Sequence, residues 1–180
     1  VPIVWRVWVD RQPLSLSPLK HGGVLVGGAL GFAMAGAILA AYLTIGPCLL
    51  DPSAFAQMGE VNGLSAWPVY LGAALYWIGI NSMLEEMVWR WFVVERFEDI
   101  GLGPGAAGCS ALGFTLHHIV ALRVYCSWEL TLLCAVGIFI GGAVWSALFR
   151  RYRSIWPGYA SHAVVDVCVF IVGWRLIHGG

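Results

Sequence analysis

Gly22-Gly-Val-Leu-Val-Gly-Gly-Ala-Leu-Gly-Phe-Ala-Met-Ala-Gly-Ala-Ile-Leu-Ala-Ala-Tyr-Leu-Thr-Ile45 runs without a single charged side chain. A helix needs about 20 apolar residues to cross the hydrocarbon of a bilayer, so this stretch reads as a spanning helix. Gly27-x-x-x-Gly31 leaves one of its faces bare enough for another helix to approach closely. Gly46-Pro47 ends it. Residues 46–66, with Asp51, Glu60 and no basic residue, read as a polar loop. Pro68 suits a first helical turn, and an apolar pattern continues from there through Glu85 and Glu86 to about residue 97. A helix of that length protrudes from the bilayer or tilts within it. Gly101, Gly103, Pro104 and Gly105 form a turn. Further apolar helices follow over residues 105–122, 128–149 (with Gly137-x-x-x-Gly141) and 155–174.

Composition agrees. Of 180 residues, 59% are hydrophobic and 11% charged, where a soluble domain carries about 25% charged residues. The predicted fold is all-α, a polytopic transmembrane bundle of about five spans. An N-terminal segment covers 1–21 and a helical domain 22–180, with a catalytic core at about 68–174. Ten basic and ten acidic residues cancel, so charge gives no sign of nucleic acid binding. Five scattered cysteines without Cys-x-x-Cys read as apolar fillers. Val1 in place of Met fits a processed chain or a piece of a longer one. Arg6, Arg11, Lys20, Arg90, Arg96, Arg150, Arg151 and Arg153 fall on one side of the expected spans, Arg123 and Arg175 on the other. That asymmetry puts the N-terminus in the cytoplasm and the end of the chain outside.

Ionisable groups at membrane depth are costly and mark function. Glu86 lies roughly 17 Å from the cytoplasmic end of its helix, His118 roughly 20 Å, Asp166 roughly 15 Å and His162 roughly 9 Å. They therefore share a layer. Glu86 and Arg90 are four apart and can pair, as can His162 and Asp166. Glu85 and Glu86 point about 100° apart, so that one can face a cavity while the other braces a neighbour. Such a set suits hydrolysis, with a carboxylate as general base and a histidine holding water or an oxyanion. Glu86, His118 and His162 would also suit zinc, and the sequence leaves open metal or glutamate-activated water alone. His117 reads as a packing residue. Glu95, Arg96, Glu98 and Asp99 read as a solvated helix end. His-Glu-x-x-His and Gly-x-Ser-x-Gly are absent, and a lone deep Asp does not make a paired aspartate site.

Glu85-Glu86-Met-Val-Trp-Arg90 resembles the Glu-Glu-x-x-x-Arg motif of the CAAX prenyl protease and bacteriocin-processing family, also called CPBP or Abi. Phe114-Thr-Leu-His-His118 is similar to its Phe-x-x-x-His motif. Ser154-Ile-Trp-Pro-Gly-Tyr-Ala-Ser-His162-Ala-Val-Val-Asp166 is similar to its His-x-x-x-Asn/Asp motif. The resemblance covers about residues 81–170, with Asp10–Lys20 only loosely similar. It implies an intramembrane endopeptidase whose catalytic residues are Glu85, Glu86, His118, His162 and Asp166, supported structurally by Arg90 and Phe114. A glutamate and His118 would activate water, and His162 with Asp166 would form the oxyanion side. The family is described both as metalloproteases and as glutamate proteases. Implied partners are the lipid bilayer and a prenylated protein, leader peptide or other membrane-associated peptide, with no nucleic acid. The compact size suggests a prokaryotic plasma membrane. Oligomeric state stays open. A non-catalytic immunity or binding protein and a small ion or proton transporter are the alternatives. A transporter should show internal repeats or broken helices in matching halves, and neither is found. Haem held by His118 and His162 fits poorly beside so many carboxylates.

Overall fold

The structure, a computed structural model, describes residues 4–11 and 22–179, apart from the side chain of Arg6. The expected 1–21 segment thus falls largely outside the described residues, Lys20 included. What is described of it is a π-helical turn, Trp5–Val9, and the Asp10 and Arg11 that follow.

Helix α1 spans Gly23–Thr44, α2 Pro52–Val61, α4 Gly105–Leu122, α5 Trp128–Tyr152 and α6 Trp156–His178. Between α2 and α4, one unbroken helical run, α3, extends over residues 67–99, and no strand occurs among the described residues. Helices α1, α4, α5 and α6 are each long and apolar enough to cross a membrane. With α3 the count roughly matches the expected five. Helix α3 is not a regular helix. Tyr76–Asn81 and Glu86–Val94 are π-helical, with α-helical turns before, between and after them. Each wider turn shifts the phase of the side chains that follow, and such stretches concentrate at functional sites. Large apolar side chains such as Leu25, Phe32, Leu116, Val120, Val136 and Ile171 point outward, each more than half exposed. An apolar exterior of this extent is at rest only in lipid. The chain is an integral membrane protein.

The stretch expected as a plain polar loop instead holds a helical turn, Gly46–Leu49, and α2. Asp51 caps α2. Its Oδ1 accepts from the Ser53 and Ala54 amides at 3.0 and 3.4 Å, and Pro52 opens the first turn. Polar start signals and a short apolar face disguised this helix as a loop.

Close packing follows the small residues. A Cβ at Gly27 would lie 2.0 Å from the Pro157 carbonyl oxygen, and one at Gly31 2.8 Å from that of Ser161. The first Gly-x-x-x-Gly thus seats α1 directly on the backbone of α6. The second is not a close helix contact: Gly137 has nothing described within 4 Å of its would-be Cβ, and the atoms nearest that of Gly141 belong to Trp145 of its own helix, at 3.5 Å and beyond. On the other side of α5, Gly142 opens the space in which Phe114 and Ala111 of α4 pack.

The expected solvated helix end stays partly exposed and also forms a charged clamp. Glu98 accepts from Arg150 Nε at 2.7 Å and Arg153 Nη1 at 2.6 Å, and Arg96 reaches Asp10 at 3.2 Å and Asp99 at 3.0 Å. Arg153 itself closes α5 in the left-handed region at φ 50°, so the clamp fixes the tight turn leading into α6.

Two outcomes follow from this packing. Gly27→Ala should lower the detergent-solubilised Tm by an amount equivalent to about 1–3 kcal/mol of overpacking, whereas Gly28→Ala, which meets nothing described within 4 Å, should leave Tm unchanged. Burial pushes the Glu98 carboxyl up, but hydrogen bonds from Arg150 and Arg153 outweigh it and hold it below the usual carboxylate range. The contribution is therefore complete above that range and is lost as pH falls through the lowered value. On acidification the wild-type Tm should fall further than that of Glu98→Gln.

Candidate active site

Helices α3, α4 and α6 supply the polar layer, and α5 supplies its aromatic floor. Glu86 is fully buried. Its Oε1 lies 3.1 Å from His162 Nδ1 and 3.4 Å from Arg90 Nε. Since a carboxylate only accepts, Nδ1 of His162 carries the proton of that bond. The Arg90 contact has the distance of an ion pair but not the angles of a hydrogen bond, and none of the guanidinium nitrogens hydrogen-bonds to a described side chain or backbone group. Arg90 is held instead by charge and by aromatic faces, its Cζ 4.4 Å from the Phe114 ring centre and 5.1 Å from that of Trp145. A desolvated guanidinium over π-faces is a favourable arrangement. Glu86 and Arg90 thus pair as their spacing predicts, and Phe114 packs beside the site.

His162 is buried and stacks on Trp145, with ring centres 4.0 Å apart and planes inclined by 19°. Its Nε2 edge faces two further carboxylates, Glu85 Oε2 at 3.6 Å and Asp166 Oδ1 at 3.8 Å. Both glutamates therefore bear on the same imidazole. Glu86 does so from a sealed position, while the Glu85 side chain keeps 15% of its surface. The other oxygen of Asp166 accepts from the Ser82 hydroxyl at 2.5 Å.

His118 stands next to this group. Its ring centre lies 4.3 Å from that of Phe114, which in turn lies 6.0 Å from His162. Glu85, His162 and Asp166 are all within electrostatic reach of it. Nδ1 of His118 lies 2.9 Å from the Phe114 carbonyl oxygen. That oxygen cannot donate, so Nδ1 carries the proton and the Nε2 lone pair is left as the reactive edge. His117 is exposed and packs against Trp89, ring centres 6.2 Å apart. All five expected catalytic residues thus gather at one place.

Among the described residues no three His, Cys, Asp or Glu side chains converge as ligands of one ion. Glu86, His118 and His162 therefore do not form a zinc set in this arrangement.

Three residues of the site were not singled out from the sequence. Trp145 had no signal beyond being one of ten tryptophans. Gly158 stands out in the sequence only as part of Trp156-Pro-Gly; a Cβ there would lie 2.3 Å from Glu86 Oε2, so only glycine admits the carboxylate. Ser82 sits one helical turn before Glu86, a spacing that would have found it.

The model of the Rce1-like family, type II CAAX prenyl endopeptidases, matches residues 66–168. The chain belongs to this family. The match covers more than half the chain and spans α3, α4, α5 and the first half of α6, which together carry every residue just described. No curated protein and no solved structure matches the chain. A CAAX-type intramembrane endopeptidase activity is what the Rce1-like family implies, on membrane-associated peptides.

Removing one partner of a buried ion pair costs about 3–5 kcal/mol. Arg90→Ala should therefore lose the fold, read as a large drop in detergent Tm and in monodisperse yield, before any effect on chemistry can be measured.

Proposed function

We propose that this Rce1-like chain hydrolyses a peptide bond at the membrane with Glu85 as general base. The observation that carries this reading is the division of labour between the glutamates: Glu86 is sealed against Arg90 and His162, while Glu85 remains partly open beside the same imidazole. A water held between Glu85 and Nε2 of His118 loses a proton to the carboxylate as its oxygen attacks the scissile carbonyl carbon. The carbonyl π electrons move to oxygen, and the tetrahedral intermediate collapses by breaking the C–N bond. The proton held by Glu85 passes to the departing amine. His162 and Asp166 complete the wall beside Glu85, and a second proton, on His162 Nε2, would let that edge donate to the developing oxyanion. No step requires a metal in this scheme.

The surface next to the site supports a substrate class. Trp67, Tyr70, Ile78, Val167, Phe170 and Trp174 line an apolar groove of about 430 Å³ between α3 and α6. It ends at Val167, the neighbour of Asp166. A groove of this character suits the lipid chain of a prenylated C-terminus lying alongside a peptide bond presented to Glu85. The eight-to-two division of basic residues supports a cytoplasmic N-terminus, and a prenylated protein would arrive from that side.

The test is cleavage of a prenylated-peptide library by the detergent-purified protein. Glu85→Gln and His118→Ala should each lower kcat by about 100-fold or more while Tm is retained, and wild-type cleavage should persist in chelator. Wild-type activity abolished by chelator and restored by zinc would replace glutamate-activated water with metal. A folded wild type that cleaves nothing would favour the immunity or binding role.

A further inference from the structure

Ser82 lies in the short α-helical turn between the two π-helical stretches of α3 and is fully buried. Its hydroxyl has one proton and two acceptors in reach, the Trp77 carbonyl at 2.8 Å and Asp166 Oδ2 at 2.5 Å. The Trp77 carbonyl already receives the backbone N–H of Ser82 through the five-residue bond that closes the first π stretch. The carboxylate is also the stronger acceptor. The hydroxyl proton therefore goes to Asp166. Here the π turn has a structural use: it brings a buried serine of α3 opposite α6, on the same helical run as Glu85 and Glu86.

We propose that Ser82 is the positioning residue of the site, fixing Asp166 so that its free oxygen stays on the Nε2 edge of His162. Asp166 has two rotatable bonds and keeps 20% of its side-chain surface. Its Oδ1 stands 3.8 Å from His162 Nε2, beyond hydrogen-bond reach, so that contact does not hold the carboxylate in place. The Ser82 bond does. It also ties the carboxylate to the helix that bears Glu85, so both walls of the site share one frame. Nearby, Tyr159 of α6 donates to the Gly79 carbonyl at 3.2 Å, which holds the same π stretch against α6. Among the described residues the Ser82 hydroxyl bonds to no other candidate catalytic side chain, and it acts through Asp166.

This inference rests on the protease reading above, and its test separates the two. Ser82→Ala, Ser82→Thr, Asp166→Ala and the Ser82→Ala/Asp166→Ala double variant are purified in detergent beside wild type and Glu85→Gln. A hydrogen bond to a charged group is worth about a factor of ten or more. Ser82→Ala should therefore lower kcat about tenfold with KM unchanged, and Ser82→Thr, which keeps the hydroxyl, should restore most of it. The Tm losses of Ser82→Ala and Asp166→Ala should be non-additive in the double variant, which reads the contact without any substrate. Ser82→Ala cleaving with wild-type kcat would overturn the positioning role while leaving the protease reading intact. Additive Tm losses would overturn the contact itself. Absence of cleavage by wild type would overturn the protease reading, and the positioning role with it.

Discussion

A charge taken out of water into lipid must find its counter-charge within the protein, and here a single carboxylate oxygen answers for a guanidinium and an imidazole. Glu86 Oε1 meets both Arg90 and His162, and everything around it serves that contact. Phe114 and Trp145 shield the guanidinium from lipid, Trp145 also backs the imidazole, and Gly158 gives the other carboxylate oxygen its space. These residues come from α3, α4, α5 and α6, so four helices meet at this one contact. A buried pair of this kind contributes less to net stability than to the uniqueness of the arrangement. Uniqueness is what a site for a single peptide bond requires.

Much of this was legible beforehand because membranes simplify the code. Without charge over residues 22–45, and with no water to satisfy open backbone, only a helix was available there. The shared depth of Glu86, His118, His162 and Asp166 followed from the rise of a helix alone. The first Gly-x-x-x-Gly was read correctly as a contact, but the second was not distinguishable from it. The pattern records small residues on a face, not which neighbour lies opposite. Helix α2 was missed because its cap and proline are also the vocabulary of turns.

The irregularity of α3 could not be read at all. Hydropathy sees one long apolar run over residues 68–97 and has no means to register a turn of wider pitch. The consequence reaches the chemistry. Regular 3.6-residue spacing set Glu85 and Glu86 on different faces and predicted separate partners for them. In the structure both bear on His162, one sealed and one partly open. Ser82 is a partial exception: its spacing from Glu86 marks it as a neighbour of the site, but nothing in an apolar segment says that its hydroxyl turns toward α6.

The seating of α1 on α6 bears on traffic. Where Gly27 meets Pro157 the separation is set by main chain on both sides, and no side-chain rotation can open it. That seam is shut to any molecule. Tyr70 closes a second seam, donating to the Phe170 carbonyl at 2.6 Å. A peptide that reaches His162 therefore passes through neither contact, and both flanks of α6 stay fixed while it does.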